Sequence, residues 1–233
     1  MRMKLLLAAE RLFALHGPEG TSTRMIVAEA GQKNASALTY YFADRAALIE
    51  AICALRMEPI NNERIERVAR YLAAKPAPAD RLRALLGILC EPGLIPIIEA
   101  KGKSYFRRFL AQAINSPSTS FYTLVKGRFD SGLRQAAPLM REEAAHLPPE
   151  IANKRIAMMI RATSYLSAHL EARCSQGPWS VRRIEMETET QLMIDGFVGF
   201  LQGPHVATIP QTASKSGTTN HIPTEATWET ALS

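Results

Sequence analysis

The chain has 233 residues, 47% of them hydrophobic, and a formal net charge of +6. That length and apolar content are enough for one large or two modest domains with a true core, and they argue against a disordered chain. Three cysteines, Cys53, Cys90 and Cys174, lie far apart with no C-x-x-C, a pattern of buried free thiols in a reducing cytosol rather than a disulfide framework.

The first predicted element covers residues 2–16. Leu5, Ala9, Leu12, Phe13 and His16 recur at i, i+4, i+7, i+8 and i+11, one face of a helix. Glu10 and Arg11 interrupt the apolar run, so the segment reads as a helix and not as a secretion signal. The stretch Thr21 to Arg45 then predicts two short helices about a tight turn, followed by the start of a third. Thr21, Ser22 and Thr23 supply capping oxygens. Ile26, Val27 and Ala30 form the buried face of a helix over about 23–30, which Gly31 ends. A second helix over 35–41 takes Asn34 as its cap and turns Leu38 and Phe42 inward, four residues apart. Lys33, Ala35, Ser36, Thr39, Tyr40 and Tyr41 are left near its start or on its outer side. Small, polar and aromatic side chains in that arrangement suit a helix lying in a DNA groove.

Thr23-Arg24, Ile26-Val27, Ala30-Gly31, Leu38, Tyr40-Tyr41-Phe42 and Asp44-Arg45 together resemble the DNA-binding domain of TetR-type transcriptional regulators, over residues 4–55. The interval from Gly31 to Phe42 is one residue longer than the family's usual spacing, and Thr39 stands where its first aromatic is usual. The resemblance implies an all-α dimeric regulator with an N-terminal three-helix helix-turn-helix domain (1–46), a helical effector-binding and dimerisation domain (47–202) and a tail (203–233). It implies a double-stranded DNA operator as partner, met by Thr23, Arg24, Lys33, Ala35, Ser36, Thr39, Tyr40, Tyr41 and Arg45. It implies a cytoplasmic protein without a cofactor.

The basic balance supports a polyanionic partner only weakly. Residues 1–49 carry a net +2, whereas residues 101–134 carry +6, so most of the excess lies outside the proposed reader. Asp44 predicts the cap of the next helix, whose buried face continues through Leu48, Ile49, Ile52, Cys53 and Leu55 and resumes with Ile65, Val68 and Leu72. Pro59 predicts a kink or break between them, because it cannot bond the carbonyl of Leu55. KPAPAD (75–80) punctuates the chain. Helices are then expected over 80–90, 94–100, 104–114, 118–140, 149–173 and 180–201, with no strand-like alternation and no repeat.

Aromatic and methionine side chains populate the middle helices. At helical spacing they are core by default; the family resemblance adds a small-molecule pocket among Phe106, Phe109, Phe121, Tyr122 and Met159, suited to a hydrophobic effector. Arg107 or Arg108 is placed to reach an anionic end, the alternative being that both are solvated. Stripes on the last two helices, including Leu166 and His169 on one and Ile194, Phe197 and Leu201 on the other, suggest a homodimer interface. From Gly203 the composition turns to Pro, Thr, Ser and Gly, that of a mobile tail.

Signals for other functions are weak. Gly102-Lys103-Ser104 ends like a phosphate loop, but Ile97 stands where its first glycine is required. The five histidines lack metal-ligand spacing, and no G-x-S-x-G or H-E-x-x-H occurs. No stretch approaches the ~18 apolar residues of a membrane span. An all-α enzyme and a helical adaptor without a DNA role are the alternative classes.

Overall fold

The structure, a computed structural model, describes residues 1–205 apart from Ala35 and the segments 117–120 and 122–126. The expected roles of Ala35 and Tyr122, and nearly all of the tail, therefore lie outside the described residues.

Ten α-helices occur among the described residues: α1 (Arg2–Gly20), α2 (Thr23–Glu29), α3 (Ser36–Tyr41), α4 (Arg45–Ala74), α5 (Pro78–Cys90), α6 (Ile95–Glu99), α7 (Phe106–Ile114), α8 (Ser131–Glu143), α9 (Pro149–Cys174) and α10 (Trp179–Gln202). A 3₁₀ turn, Glu91–Leu94, joins α5 to α6. The protein is all-α, as the periodicity predicts.

The α1 stripe buries Leu5, Ala9, Leu12 and Phe13, but His16 is exposed. Helical geometry fails one residue later at Gly17 (φ 72°, ψ 164°), where Thr21 Oγ1 donates to the Gly17 carbonyl at 2.9 Å. Pro59 does not divide α4, which runs for 30 residues. The proline sits on the exposed side, where losing a backbone hydrogen bond costs least. Leu72 is exposed, not buried. The single helix expected over 118–140 is interrupted. Gly127 takes φ 75° and donates its N–H to Asp130 Oδ2 at 3.1 Å, and α8 starts only at Ser131.

Gly102 also belongs to a turn and not to a phosphate loop. Lys101 (φ 48°) and Gly102 (φ 81°) are both left-handed, and Gly102 donates to the Ile97 carbonyl at 2.9 Å, closing α6. A Cβ at Gly102 would lie 2.6 Å from the Cys174 carbonyl oxygen.

One apolar core crosses the expected 46/47 boundary. It joins Leu5, Phe13, Ile26, Leu38, Phe42 and Ile49 to Phe106, Phe109 and Ala113. The rings of Phe13 and Phe109 stack at 6.1 Å between centroids. α1 is thus fixed to α7 as well as to its neighbours α2 and α4. A second core gathers Val68, Leu85, Leu89, Met140, Ile156 and Met159 from α4, α5, α8 and α9. α4 and α8 cross closely: the Asn61 amide donates to Ser131 Oγ and accepts from the Gly132 N–H, each at 2.8 Å.

Buried charge ties these layers together. Glu10 on α1 accepts a forked hydrogen bond from Arg56 on α4, at 2.8 and 3.2 Å. Burial nevertheless raises the Glu10 carboxyl above its ordinary range. Glu171 on α9 is fully buried and accepts from the backbone N–H groups of Arg107 and Arg108, both at 3.0 Å. These are first-turn donors of α7, which have no partner within the helix. Glu171 is therefore a cap supplied from another helix.

Replacing Glu171 with Ala should cost about 2–4 kcal/mol, because both N–H groups and the Arg108 side chain lose their acceptor. Gln keeps one acceptor and should cost less. Urea unfolding midpoints with an unchanged m-value check the ranking.

Candidate functional site

Helices α2 and α3 and the turn between them form the candidate site. Ser22 caps α2: its Oγ accepts from the Met25 N–H at 3.2 Å. Gly31, with φ 71°, ends the helix. Its N–H donates to the Ala28 carbonyl, and that of Gln32 donates to the Val27 carbonyl. Asn34 Oδ1 then accepts from the Ser36 N–H at 2.9 Å and opens α3. Leu38 and Phe42 are buried beneath α3, which fixes the direction of its outer face.

That outer face holds Ser36, Thr39, Tyr40 and Tyr41, all exposed. Tyr40 is 82% accessible, an unusual exposure for an aromatic residue. Its ring meets that of Tyr41 edge-on at 4.9 Å. Thr23, Arg24 and Lys33 are exposed close by in sequence, at the start of α2 and in the turn. Arg45 does more than the sequence suggests. One of its guanidinium nitrogens donates to the Thr21 carbonyl at 2.8 Å, and the group sits 5.8 Å from the Phe13 ring centroid. It locks the start of α4 to the corner between α1 and α2. Beside it, Phe13, Thr23, Leu38, Phe42 and Leu48 line a hollow of about 200 Å³.

The start of α1 also reaches this face, which the sequence alone does not reveal. Met1 lines a shallow depression with Asn34, Ser36, Thr39, Tyr40 and Tyr41. The Arg2 guanidinium lies 5.2 Å from the Phe42 ring centroid. The helical stripe at residues 2–16 pointed to core packing, and only the approach of α1 to α3 brings its first turn here.

The expected effector residues do not share one place. Phe106, Phe109 and Phe121 are buried in the core that holds Phe13, whereas Met159 is buried in the second core. Phe109 stacks on Phe13, so it joins α7 to α1. Arg107 and Arg108 differ sharply. Arg108 pairs with Glu171 at 3.2 Å and donates to the Ser104 carbonyl, while Arg107 is buried.

The expected dimer residues also divide. Ile194 and Leu201 are fully buried within the subunit and are not available to a second copy; both lie in the core with α5. Phe197 is half-buried. Leu166 and His169 are exposed on α9. On α10, the exposed apolar residues Val181, Ile184 and Leu192 share a helical face with Gly196 and Gly199. A Cβ at either glycine would meet nothing within 4 Å. The sequence stripe had mixed the inward and outward faces of one helix.

Among the described residues, no group of three or more His, Cys, Asp or Glu could hold a metal ion. No helix there is long and apolar enough to cross a membrane.

The short exposed helix, its capped partner and the turn between them define an all-α protein with an N-terminal helix-turn-helix. Residues 5–52 match the model for bacterial regulatory proteins of the tetR family, so the N-terminal helix-turn-helix is of that type. No curated protein matches it in sequence. In fold it is similar to the transcriptional regulator FadR from Bacillus subtilis in complex with stearoyl-CoA. The TM-score is 0.53 at 12% identity, over 88% of this chain and 100% of that one. A protein from Shewanella sp. PV-4 assigned to the tetR family matches with TM-score 0.45 and 20% identity, over 82% of this chain and 96% of that one. Another so assigned, from Mesorhizobium loti MAFF303099, matches with TM-score 0.46 and 12% identity, over 85% and 95%.

Because Arg45 closes the α1–α2 corner, Arg45→Ala should lower stability by about 1 kcal/mol even without DNA. Thermal unfolding of the free protein checks it, and an unchanged midpoint would show that the tie contributes nothing.

Proposed function

We propose that this chain is a ligand-responsive transcriptional repressor that binds a palindromic operator as a homodimer and is released by a small hydrophobic effector. The observation that carries the reading is the exposed α3 face on a buried, capped scaffold, together with the core that joins α1 to α7. Each subunit sets α3 in a major groove. Ser36, Thr39 and Tyr40 meet base edges, while Thr23, Arg24, Lys33, Tyr41 and Arg45 meet phosphates. The FadR neighbour's complex with stearoyl-CoA supports an apolar effector for this fold. The effector releases DNA only through its differential affinity for the two states of the dimer. The dimer forms along the exposed faces of α9 and α10, with Leu166, His169, Leu192 and the open glycines at its centre.

Selecting bound fragments from genomic DNA tests the central claim and gives the operator. No enriched sequence from a folded dimer would overturn it. On the recovered operator, Arg24→Ala should weaken binding to all sequences alike and reduce the salt slope by about one unit. Tyr40→Ala should instead change which bases are preferred. A variant pair with the opposite pattern would reverse the assignment.

Leu192 is 63% exposed in the subunit, so Leu192→Glu should leave the fold intact. In a dimer it buries an unpaired carboxylate, at a cost of about 2–4 kcal/mol. Sedimentation should then show monomers where the wild-type chain is dimeric.

A further inference from the structure

Two arginines inside the helical body hold buried donors that have no acceptor. Arg64 on α4 is 7% exposed and Arg107 on α7 is 3% exposed. Each has one backbone acceptor: an Arg64 terminal nitrogen donates to the Leu89 carbonyl at 3.1 Å, and one of Arg107 to the Thr163 carbonyl at 3.4 Å. The Nε–H of each is buried without an acceptor. The nearby Glu171 carboxylate does not bond either guanidinium. Its oxygens accept from the backbone of Arg107 and Arg108 and from the Arg108 side chain. Among the described residues neither Arg64 nor Arg107 is in an ion pair.

The two groups share one neighbourhood. Both feel the Cys90 sulfur, which lies 3.8 Å from Thr163 Oγ1. Gly93 in the 3₁₀ turn backs onto Arg107, since a Cβ there would approach its guanidinium carbon to 3.4 Å. The adjoining Leu89, Cys90 and Leu94 are buried and apolar. Burial and the charge of Arg107 push Arg64 down to about 9, and burial pushes Arg107 down to about 10 against the opposing pull of the Glu171 carboxylate. Both therefore remain charged at neutral pH. Glu171 reaches neither guanidinium with a hydrogen bond, so two like charges held dry with open donors favour a further anion between them.

We propose that Arg64 and Arg107 together clamp the carboxylate or phosphate group of the effector, with the apolar part of that molecule lying against the core beside Cys90. The proposal rests on the reading of this chain as an effector-responsive regulator, and it narrows the effector to an amphiphilic oxyanion. Planar guanidinium groups suit such oxygens, since each offers paired N–H donors. The clamp also lies where coupling is needed. Arg64 belongs to the helix whose first residue is Arg45, and Arg107 belongs to the helix that packs on α1. An anion drawn between them biases both routes to the reader.

The test is thermal unfolding of the full chain at fixed ionic strength. The probes are linear alkanoates from acetate to palmitate, alkyl phosphates of the same chain lengths and the matching neutral amides. The expected result is a rise in Tm on the order of 5–10 °C at one hundred times Kd, with an acid or a phosphate but not its amide. Arg64→Met and Arg107→Met should each abolish that rise. Whether the alkanoate or the phosphate series responds identifies the head group. Equal midpoints with acid and amide in the wild-type chain, or no response to either series, would overturn the clamp even if neither variant folds. A rise that survives both substitutions would overturn it too. Operator selection on the same preparation without added ligand separates the two claims. Enriched DNA with silent anions removes only the clamp, and an anion response lost in the variants but without enriched DNA removes only the regulatory reading.

Discussion

The arrangement of the helices depends on one buried carboxylate. Glu171 meets the first turn of α7 from another helix and takes two of its unpartnered N–H groups. A helix end buried without partners would be strongly unfavourable, so α7 can lie in the interior only where such an acceptor waits. Burying Glu171 is in turn tolerable only because those donors and the Arg108 side chain surround it. Each group makes the other's burial possible, and α7 and α9 are thereby held in one relative position.

What α7 touches makes this position functional. Its Phe109 stacks on Phe13 of α1, and α1 carries the helix-turn-helix on its other neighbours. Glu10 and Arg56 add a charged tie from α1 to α4. The helix-turn-helix is thus continuous with the helical body through packing and ion pairing, in addition to the chain itself. Close-packed interiors do not deform gradually. A displacement of α7 is consequently passed to α1 as a movement of the whole contact, the route that the proposed effector response uses.

Charge is distributed in keeping with this division. The exposed surface of α3 is polar and aromatic rather than strongly basic. The concentration of positive charge in residues 101–134 is not a uniform surface patch. Arg107 is buried, Arg108 is tied to Glu171, and Arg128 pairs with Glu50 on α4. Arg107 and Arg108 thus act inside the protein, whereas Lys101, Lys103, Arg128 and Arg134 are exposed.

Local patterns in the sequence were sufficient for the helix-turn-helix. Ser22, Gly31, Asn34 and Asp44 act as caps or breaks through their own backbone neighbours, and Leu38 and Phe42 lie on one face by helical period alone. The all-α class followed from the same periodicity. Interactions between distant residues were not legible. Nothing near residue 107 announces that Glu171, 64 positions away, caps its helix, or that Arg107 lies inside while Arg108 reaches the half-exposed side. Arg64 shares a stripe with Asn61 and Val68, a signal for burial, but a lone arginine on such a stripe reads as a solvated one until its helix is packed. The apolar residues of α10 show the same limit. Period identifies the stripe around Ile194 and Leu201 and the stripe around Ile184 and Leu192, but only packing against α5 decides which of them faces the core. The sequence determined most of the helical segments, because those choices are local, but not the continuity of α4 through Pro59 or the turn before Ser131. The tertiary structure decided which faces are buried and which charges meet, because those depend on elements the chain brings together only by folding.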